Sequence, residues 1–400
     1  MKQASESPAL ELLPQALAGT DAAFIATGKA YQLSWNLVGL AKLHQVTGEP
    51  AYLQAVQRVW ESIRQYHLTL GGGPWGGVAH RSREVFNPPG VFSPQGYVET
   101  CSTFSWLQLN RELLAITGEA KYADEIEKSA YNDLLGAQAP AGDNWCYYTF
   151  PNGRRVFTTY WRCCKSSGPW ALEELPPVAY AQTGTGDIAI NLYGPGRATL
   201  TTPQAGAVQL EQITRYPFDS AIRLTVNPER AAKFAVLLRI PDWTEQATLQ
   251  INGTDAAVAL APGGYATLER TWQTGDVVTL QLPMPPKFHQ QVNRNLQESR
   301  APDGSAVSQE VLRFDYVAIT RGPLVYSTTL IDGFKREETV RLPASPETSL
   351  ELLEAPAGSE APAIRLNLGY RAPLVFVPYA EAGGREDGTW RLTWLQVAPE

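Results

Sequence analysis

The sequence predicts an α+β chain in several parts: stacked helix pairs first, then an antiparallel β-sandwich. Three observations predict this. A helix–Thr-Gly-Glu–helix unit occurs twice, with its glycines at Gly48 and Gly118. Before about Thr183 the apolar residues recur at helical spacing, and after it they alternate at period two. Four hundred residues, 44% apolar and 18% charged, are enough for two or three cores. The division expected is a helical portion over 1–183 and a β-region over 184–400, the latter open to subdivision into two.

Residues 1–27 carry Pro8, Pro14 and Gly19, which break any long helix. From Gly28 onward Leu33, Leu37, Leu40 and Ala41 recur at helical spacing. Trp35, Val38 and Leu43 add apolar surface on the other sides, so this helix is expected to be buried over most of its surface. Thr47-Gly48-Glu49-Pro50 ends it and opens a second helix with a one-sided stripe of Tyr52, Val56, Val59, Trp60 and Ile63. Leu114 to Tyr122 repeats the unit of Gln45 to Tyr52, a recurrence seen in helical solenoids and α/α toroids. The run Gly71-Gly72-Gly73-Pro74-Trp75-Gly76-Gly77 between the copies starts a long loop that reaches Gly96.

In the second half, Ile188-Ile190-Leu192, Ile222-Leu224-Val226, Phe234-Val236-Leu238-Ile240, Leu249-Ile251, Val278-Leu280-Leu282 and Val317-Ile319 alternate as strands do, with a turn at Asn252-Gly253. Residues 291–308, polar and containing Pro302-Asp303-Gly304, read as an exposed insertion, and 355–362 and 381–388 as loops.

Composition excludes several classes of function. A net charge of −7 with no basic run argues against a nucleic-acid partner. No apolar run approaches the roughly 20 residues of a membrane span, and Met1 to Leu17 lacks a continuous apolar stretch for a signal peptide. A cytoplasmic, reducing location is the expectation. Four cysteines are too few for a disulfide framework.

Those cysteines cluster. Glu99-Thr100-Cys101 precedes an apolar helical run, Cys163-Cys164 begins 62 residues after Cys101, and Cys146 lies between. At an extended entry to a helix, Glu99 and Cys101 reach one side, where helix N–H groups favour a thiolate. Several thiolates select a soft or borderline ion, zinc first. Adjacent cysteines diverge, so their sharing one ion asks for a bent, non-helical backbone. Two unrelated buried thiols and a vicinal disulfide stand as alternatives at this point.

These residues resemble a known family. Glu99-Thr100-Cys101 before a helix, Tyr122-Ala123-Asp124-Glu125-Ile126-Glu127 with Tyr131-Asn132, and Cys163-Cys164 are similar to the β-L-arabinofuranosidases of glycoside hydrolase family 127 and the related family 146. The β-region agrees through Leu192-Tyr193, Arg239 to Trp243, Ile251-Asn252-Gly253, Trp272 to Asp276 and Arg321 to Tyr326.

The resemblance implies an (α/α)6 barrel with β-sandwiches behind it and a retaining glycosidase that cleaves β-L-arabinofuranosyl groups from a carbohydrate. It implies zinc held by Glu99, Cys101, Cys163 and Cys164, with Cys163 as nucleophile. Glu84, in Arg83-Glu84-Val85-Phe86, falls at the family's acid/base, and Glu127 and Tyr147 fall at sugar-contacting positions. Of four histidines, His80 alone lies near the implied site and joins these as a substrate contact.

The chain also departs from the family. About five helices precede the strands where a full barrel has twelve, so the barrel is expected to be partial. Gly28-Lys29-Ala30 stands where relatives often have Gly-His-Ala. The departures leave two rivals: a catalytically inactive sugar-binding protein with structural zinc, and a fragment whose barrel a partner chain, or a second copy in a homo-oligomer, completes.

Overall fold

The computed structural model describes residues 9–26, 28–76, 84–159, 162–329, 339–382 and 390–398. His80 therefore lies outside the described residues, as do most of the loop segment before Glu84 and residues 383–389 of the second C-terminal loop. The helical part runs α1 (Ala9–Leu17), α2 (Ala30–Thr47), α3 (Pro50–Tyr66), α4 (Thr100–Thr117) and α5 (Ala120–Ser129). It continues through a π-helical turn (Ala130–Leu134) into α6 (Leu135–Ala137), then α7 (Cys163–Glu173) and α8 (Leu175–Ala179). No described helix is long and apolar enough to cross a membrane.

The repeated unit is a repeated structure. Gly48 and Gly118 both cap their helices in the left-handed region, at φ +71° and +68°, and each N–H returns to the carbonyl four residues back. Thr47 and Thr117 each donate to the carbonyl four residues earlier and accept from the N–H of Glu49 and Glu119. Trp60 of the first hairpin stacks on Trp106 of the second at 5.7 Å, and its Nε1 donates to Asn110.

The nine-residue α1 forms despite Pro14, which sits within it. The expectation for α2 is corrected. Its buried positions, Ala30, Leu33, Ser34, Leu37 and Ala41, form one face, packed toward α3 and α4. Leu43 and Val46 point outward, Val46 being 85% exposed, while Trp35 lies at the rim of the packed face and donates to Gln108 of α4. An apolar sequence on all sides marks a helix that is buried only where neighbours exist, and among the described residues they stand on one side.

Two antiparallel-rich sheets follow, face to face over one core. The four-stranded sheet runs in the order 264–272, 232–240, 188–190, 180–182. The six-stranded one runs 254–255, 248–251, 276–281, 221–228, 206–214, 196–202. Asn252 and Gly253 turn between 248–251 and 254–255 with φ of +51° and +80°. A third core, around Val317, Tyr326, Ile364, Phe376 and Leu395, belongs to a ten-stranded C-terminal sheet. The exposed insertion is regular: Pro286–Arg300 and Ala306–Arg321 form one long hairpin whose outer part is open to solvent.

Buried polar side chains fasten the helical part to the β-layers. Arg239, fully buried on strand 232–240, is paired with Asp124 and Glu127 of α5. Asn132 donates to the Pro323 carbonyl and accepts from the Val325 N–H. Asn152 bonds the backbone of Thr393 and Trp394, beside the pairing of β4 (Asn152–Arg154) with Trp390–Leu392.

Helix α7 lies against the segment that follows α6, and Gly168 makes this approach possible. A Cβ there would stand 2.2 Å from the ring of Trp145. Gly168→Ala is expected to cost about 1–3 kcal/mol through overpacking, read as a lower urea midpoint with an unchanged slope.

Candidate active site and metal centre

Strand β2 (Tyr97–Glu99) pairs with β1 (Trp75–Gly76) and β3 (Tyr148–Thr149) and runs directly into α4. Glu99 is the N-cap residue of α4 in extended conformation, and Cys101 sits in the first turn. Cys163 and Cys164 open α7 after an extended Arg162. The expectation of a bent, non-helical backbone at this pair is therefore corrected. The two helix N-termini meet, and adjacent positions of a first turn both present sulfur to the junction.

The ligand atoms of Glu99, Cys101, Cys163 and Cys164 lie within 4.8 Å of one another. It is the one such cluster of three or more metal-ligating side chains found among the described residues. Cys101 Sγ is 3.5 Å from Cys164 Sγ. Four ligands at tetrahedral metal–sulfur distances of about 2.3 Å stand about 3.8 Å apart. Both carboxylate oxygens of Glu99 are buried and make no well-formed hydrogen bond among the described residues, which is the mark of a group awaiting a cation. The donor set thus suits a tetrahedral, thiolate-binding metal ion. Ser167 Oγ, 3.1 Å from Cys101 Sγ, adds a polar neighbour behind the ligands. Cys146 is buried outside the cluster, and burial pushes its thiol up to about 11.

Three members of the cluster are buried and Cys163 is exposed. Its thiol donates toward the Tyr147 hydroxyl at 3.7 Å, and that hydroxyl donates to Glu84 Oε1 at 3.0 Å. Tyr148 donates to the same oxygen at 2.8 Å, and Lys29 Nζ reaches Oε2 at 2.8 Å. Glu84 is held in the left-handed region, at φ +54°, a strained conformation for a residue with a side chain. Its N–H donates to the Tyr97 hydroxyl and its carbonyl accepts from Ala30 N–H, so both sides of the strained residue are pinned. Thr100, between Glu99 and Cys101, positions Tyr147. Its N–H bonds the Tyr147 carbonyl at 3.1 Å, and its hydroxyl bonds the Cys146 carbonyl at 2.8 Å.

The structure therefore brings together Glu84, Glu99, Cys101, Tyr147, Cys163 and Cys164. It does not bring Glu127 to them. That carboxylate accepts from Arg239, from the Tyr216 hydroxyl at 2.6 Å and from Trp243 Nε1 at 3.4 Å, within the fastening between α5 and the β-sandwich. A cavity of about 620 Å³ opens beside this fastening, lined by Arg64, Trp75, Glu127, Trp243, His289 and Trp394 among others. None of the cysteines lines it. Sequence reasoning missed Lys29, Tyr97 and Tyr148. The signal for Lys29 was the Gly28-Lys29-Ala30 departure, and that for Tyr148 its place beside Tyr147.

In the metal-free chain Glu99 is pushed up to about 9, by burial first and then by the charges of Cys101 and Glu84. Cys101 falls to about 6, through the hydrogen bond from Cys164 first, with Ser167 adding to it against burial. Burial and the neighbouring Cys101 raise Cys163 and hold it as a thiol. These shifts set a pH profile for the metal-free protein. Folded Glu99 keeps a proton that the unfolded chain has lost above 4.5, so its contribution declines as pH rises from about 4.5 to about 9. Folded Cys101 has lost a proton that the unfolded chain keeps to 9.0, so its contribution grows from about 6 to about 9. Stability from these two groups is expected to fall between pH 4.5 and 6 and to stay level from 6 to 9. Urea unfolding at a series of pH values in chelator checks this; a bound metal removes the first trend, because Glu99 is then a carboxylate in both the folded and the unfolded state above pH 4.5.

Two family models match this chain. One, described as the catalytic domain of GH127 β-L-arabinofuranosidases, covers residues 20–175; the other, the GH127 middle domain, covers residues 187–284. Together they take in more than three-fifths of the chain. A non-reducing end β-L-arabinofuranosidase of Bifidobacterium longum subsp. longum is 24% identical over 327 residues, which are 77% of this chain and 46% of that protein. Among solved structures, a GH127 β-L-arabinofuranosidase from Geobacillus stearothermophilus T6 superposes with a TM-score of 0.74 at 23% identity, over 93% of this chain and 61% of that one. A GH127 β-arabinofuranosidase gives 0.75 at 22% identity, over 93% and 60%. The likeness in structure shows the fold, helices followed by β-sandwich sheets. The chain spans less than half the length of the curated relative and about three-fifths of these two solved ones.

Proposed function

From the premise that this chain belongs to glycoside hydrolase family 127, the β-L-arabinofuranosidases, we propose that it is a retaining glycosidase that releases β-L-arabinofuranosyl groups from a carbohydrate. On this reading Cys163 is the nucleophile, Glu84 the acid/base, and zinc is held by Glu99, Cys101, Cys163 and Cys164. The observation that carries the proposal is the position of Cys163. It is the one exposed member of the cluster, and the Tyr147 hydroxyl links it to Glu84.

The chemistry follows from these positions. The Cys163 sulfur attacks the anomeric carbon as the glycosidic C–O bond breaks, and Glu84 gives its proton to the departing oxygen. Glu84, now a carboxylate, takes a proton from water as the water oxygen attacks the same carbon. The C–S bond then breaks and the thiolate returns. Two displacements on one carbon retain its configuration. The contacts of 3.7 and 3.0 Å through Tyr147 limit how far the sulfur and the carboxylate can stand apart, and that limit accommodates the roughly 5–5.5 Å of a retaining pair. Zinc, when bound, supplies the charge that keeps the cysteine sulfurs deprotonated at neutral pH, where the metal-free Cys163 is a thiol.

The test is hydrolysis of 4-nitrophenyl β-L-arabinofuranoside by the zinc-loaded protein, with the first-formed sugar read by NMR. The β-anomer is expected, and the α-anomer would contradict retention. In a second reading, a sugar-binding protein with structural zinc, Cys163 serves as a metal ligand only, grouped with Glu99, Cys101 and Cys164. Zinc-loaded protein that binds arabinosides in calorimetry and hydrolyses none would favour it. Treatment with a strong chelator is expected to abolish hydrolysis, and added zinc to restore it; activity that survives demonstrated metal loss excludes the thiolate role given to zinc.

A further inference from the structure

The cavity of about 620 Å³ beside the Arg239 fastening has no task in the chemistry proposed above. It lies where the end of α3, α5, the segment after strand 232–240 and the base of the long hairpin meet. Among the described residues that line it are neither the Glu99 and cysteine cluster nor Glu84. Its volume falls within the roughly 300–1,000 Å³ of small-molecule sites, which often form at such junctions between layers.

The charges of its lining are answered within the protein. Arg64 Nε reaches Glu125 Oε1 at 3.1 Å and Arg64 Nη2 reaches Asp242 Oδ2 at 3.3 Å. Lys128 Nζ reaches Glu125 Oε2 at 2.8 Å, and Asp124 and Glu127 are taken up by Arg239. A charged ligand would therefore have to break an existing ion pair to find its partner, at a cost in desolvation. A neutral ligand need not. Arg64 and Lys128 are each about a third exposed, so their remaining N–H groups are open to an oxygen acceptor.

The other polar groups are uncharged. Gln65, Gln290 and Gln291 present exposed amides, and the Thr320 hydroxyl lies 2.8 Å from His289 Nε2. Burial, and then the charges of Lys287 and Lys128, lower His289 below its usual range, which leaves it a neutral imidazole at pH 7. The rest of the wall is aromatic. Tyr66 is 44% exposed, Trp243 is partly exposed, and Phe92 packs edge-on against Trp394 at 5.2 Å and Trp75 at 6.4 Å. Rings beside neutral donors and acceptors suit a molecule that offers apolar C–H faces and hydroxyls together without net charge. Sugars have that chemistry.

We propose that this cavity is a second carbohydrate site, which takes a short neutral oligosaccharide separately from the cysteine cluster. The two places share one small sheet, since Trp75 pairs with Val98, the residue before Glu99. The inference goes beyond the glycosidase reading and does not depend on turnover. A chain that hydrolyses nothing would still bind glycan here.

The test is calorimetry on the full chain with three probes: neutral arabinotriose, anionic trigalacturonate and cationic spermidine. Arabinotriose is expected to bind, and the two charged probes to give no binding at the same concentrations. Trp243→Ala is expected to raise the Kd for arabinotriose about tenfold or more. Trp243 also packs against the sandwich core, so a second measurement leaves the site intact. In protein labelled with 5-fluorotryptophan, the Trp243 fluorine resonance is assigned by its loss in Trp243→Phe. It is expected to move when arabinotriose is added, both in the wild type and in Cys163→Ala. Arabinotriose binding with an unmoved Trp243 resonance would overturn the proposal. So would a Trp243 resonance that answers to a charged probe and not to arabinotriose, or no arabinotriose binding in the millimolar range. An inactive enzyme leaves this result untouched, and an empty cavity leaves the glycosidase reading untouched.

Discussion

Cys163→Ala is expected to lower kcat on 4-nitrophenyl β-L-arabinofuranoside by about 10⁴- to 10⁶-fold, the range seen when a covalent nucleophile is removed. An aryl leaving group makes the test severe, because it needs little help from Glu84 and leaves the sulfur as the main source of rate. The variant retains Glu99, Cys101 and Cys164, the three buried members of the cluster, so the folded helices are expected to persist with weaker zinc binding. Measured together, kcat, zinc content and far-UV circular dichroism separate loss of the nucleophile from loss of the site. Full activity in Cys163→Ala would remove the nucleophile assignment. Combining Glu84→Gln with the aryl substrate supplies a positive counterpart. The glycosyl-enzyme should accumulate, and one pentosyl unit should be found by mass spectrometry on the peptide carrying Cys163.

Arg239→Met is expected to cost about 3–5 kcal/mol of stability, the loss typical of breaking a buried ion pair from one side. Arg239 is fully buried, and its guanidinium is shared between Asp124, Glu127 and the Asn191 carbonyl. Methionine fills much of the space and removes the charge, leaving two carboxylates in a desolvated place. Urea denaturation reads the effect. Removing the acids as well, in Arg239→Met with Asp124→Asn and Glu127→Gln, is expected to recover part of the loss. A cost below about 1 kcal/mol for the single variant would show that the cluster is solvated rather than buried.

Local signals in the sequence carried much of this structure. The threonine and glycine of each hairpin encode their caps within a few residues, and the four proposed metal ligands and Glu84 stand in recognisable short motifs. Contacts formed across long separations were not legible. Glu127 has the sequence setting of a sugar contact, yet its partner Arg239 lies on a strand 112 residues away. The exposure of Val46 depends on which helices stand beside α2, and no property of α2 itself reports that. The helical start at Cys163-Cys164 was obscured because adjacency suggested divergence, whereas the convergence comes from a second helix, α4, arriving at the same point. Lys29 was visible only as a departure from a motif, since its meaning depends on the strained backbone of Glu84, 55 residues away.

The described helices are clamped from the side of the β-layers. Asp124 and Glu127 are gripped by Arg239, Asn132 by the backbone around Pro323, and Asn152 by that of Thr393 and Trp394. The sandwich then acts as a jig that sets how the helices stand to one another, and with it the gap between Cys163 and Glu84, the groups proposed as catalytic, which are carried on separate segments. Loosening the clamp is expected to widen that gap before any helix melts. Activity should therefore fade at urea concentrations below the far-UV transition, and coincident loss of the two would show that the helices hold their arrangement without the clamp.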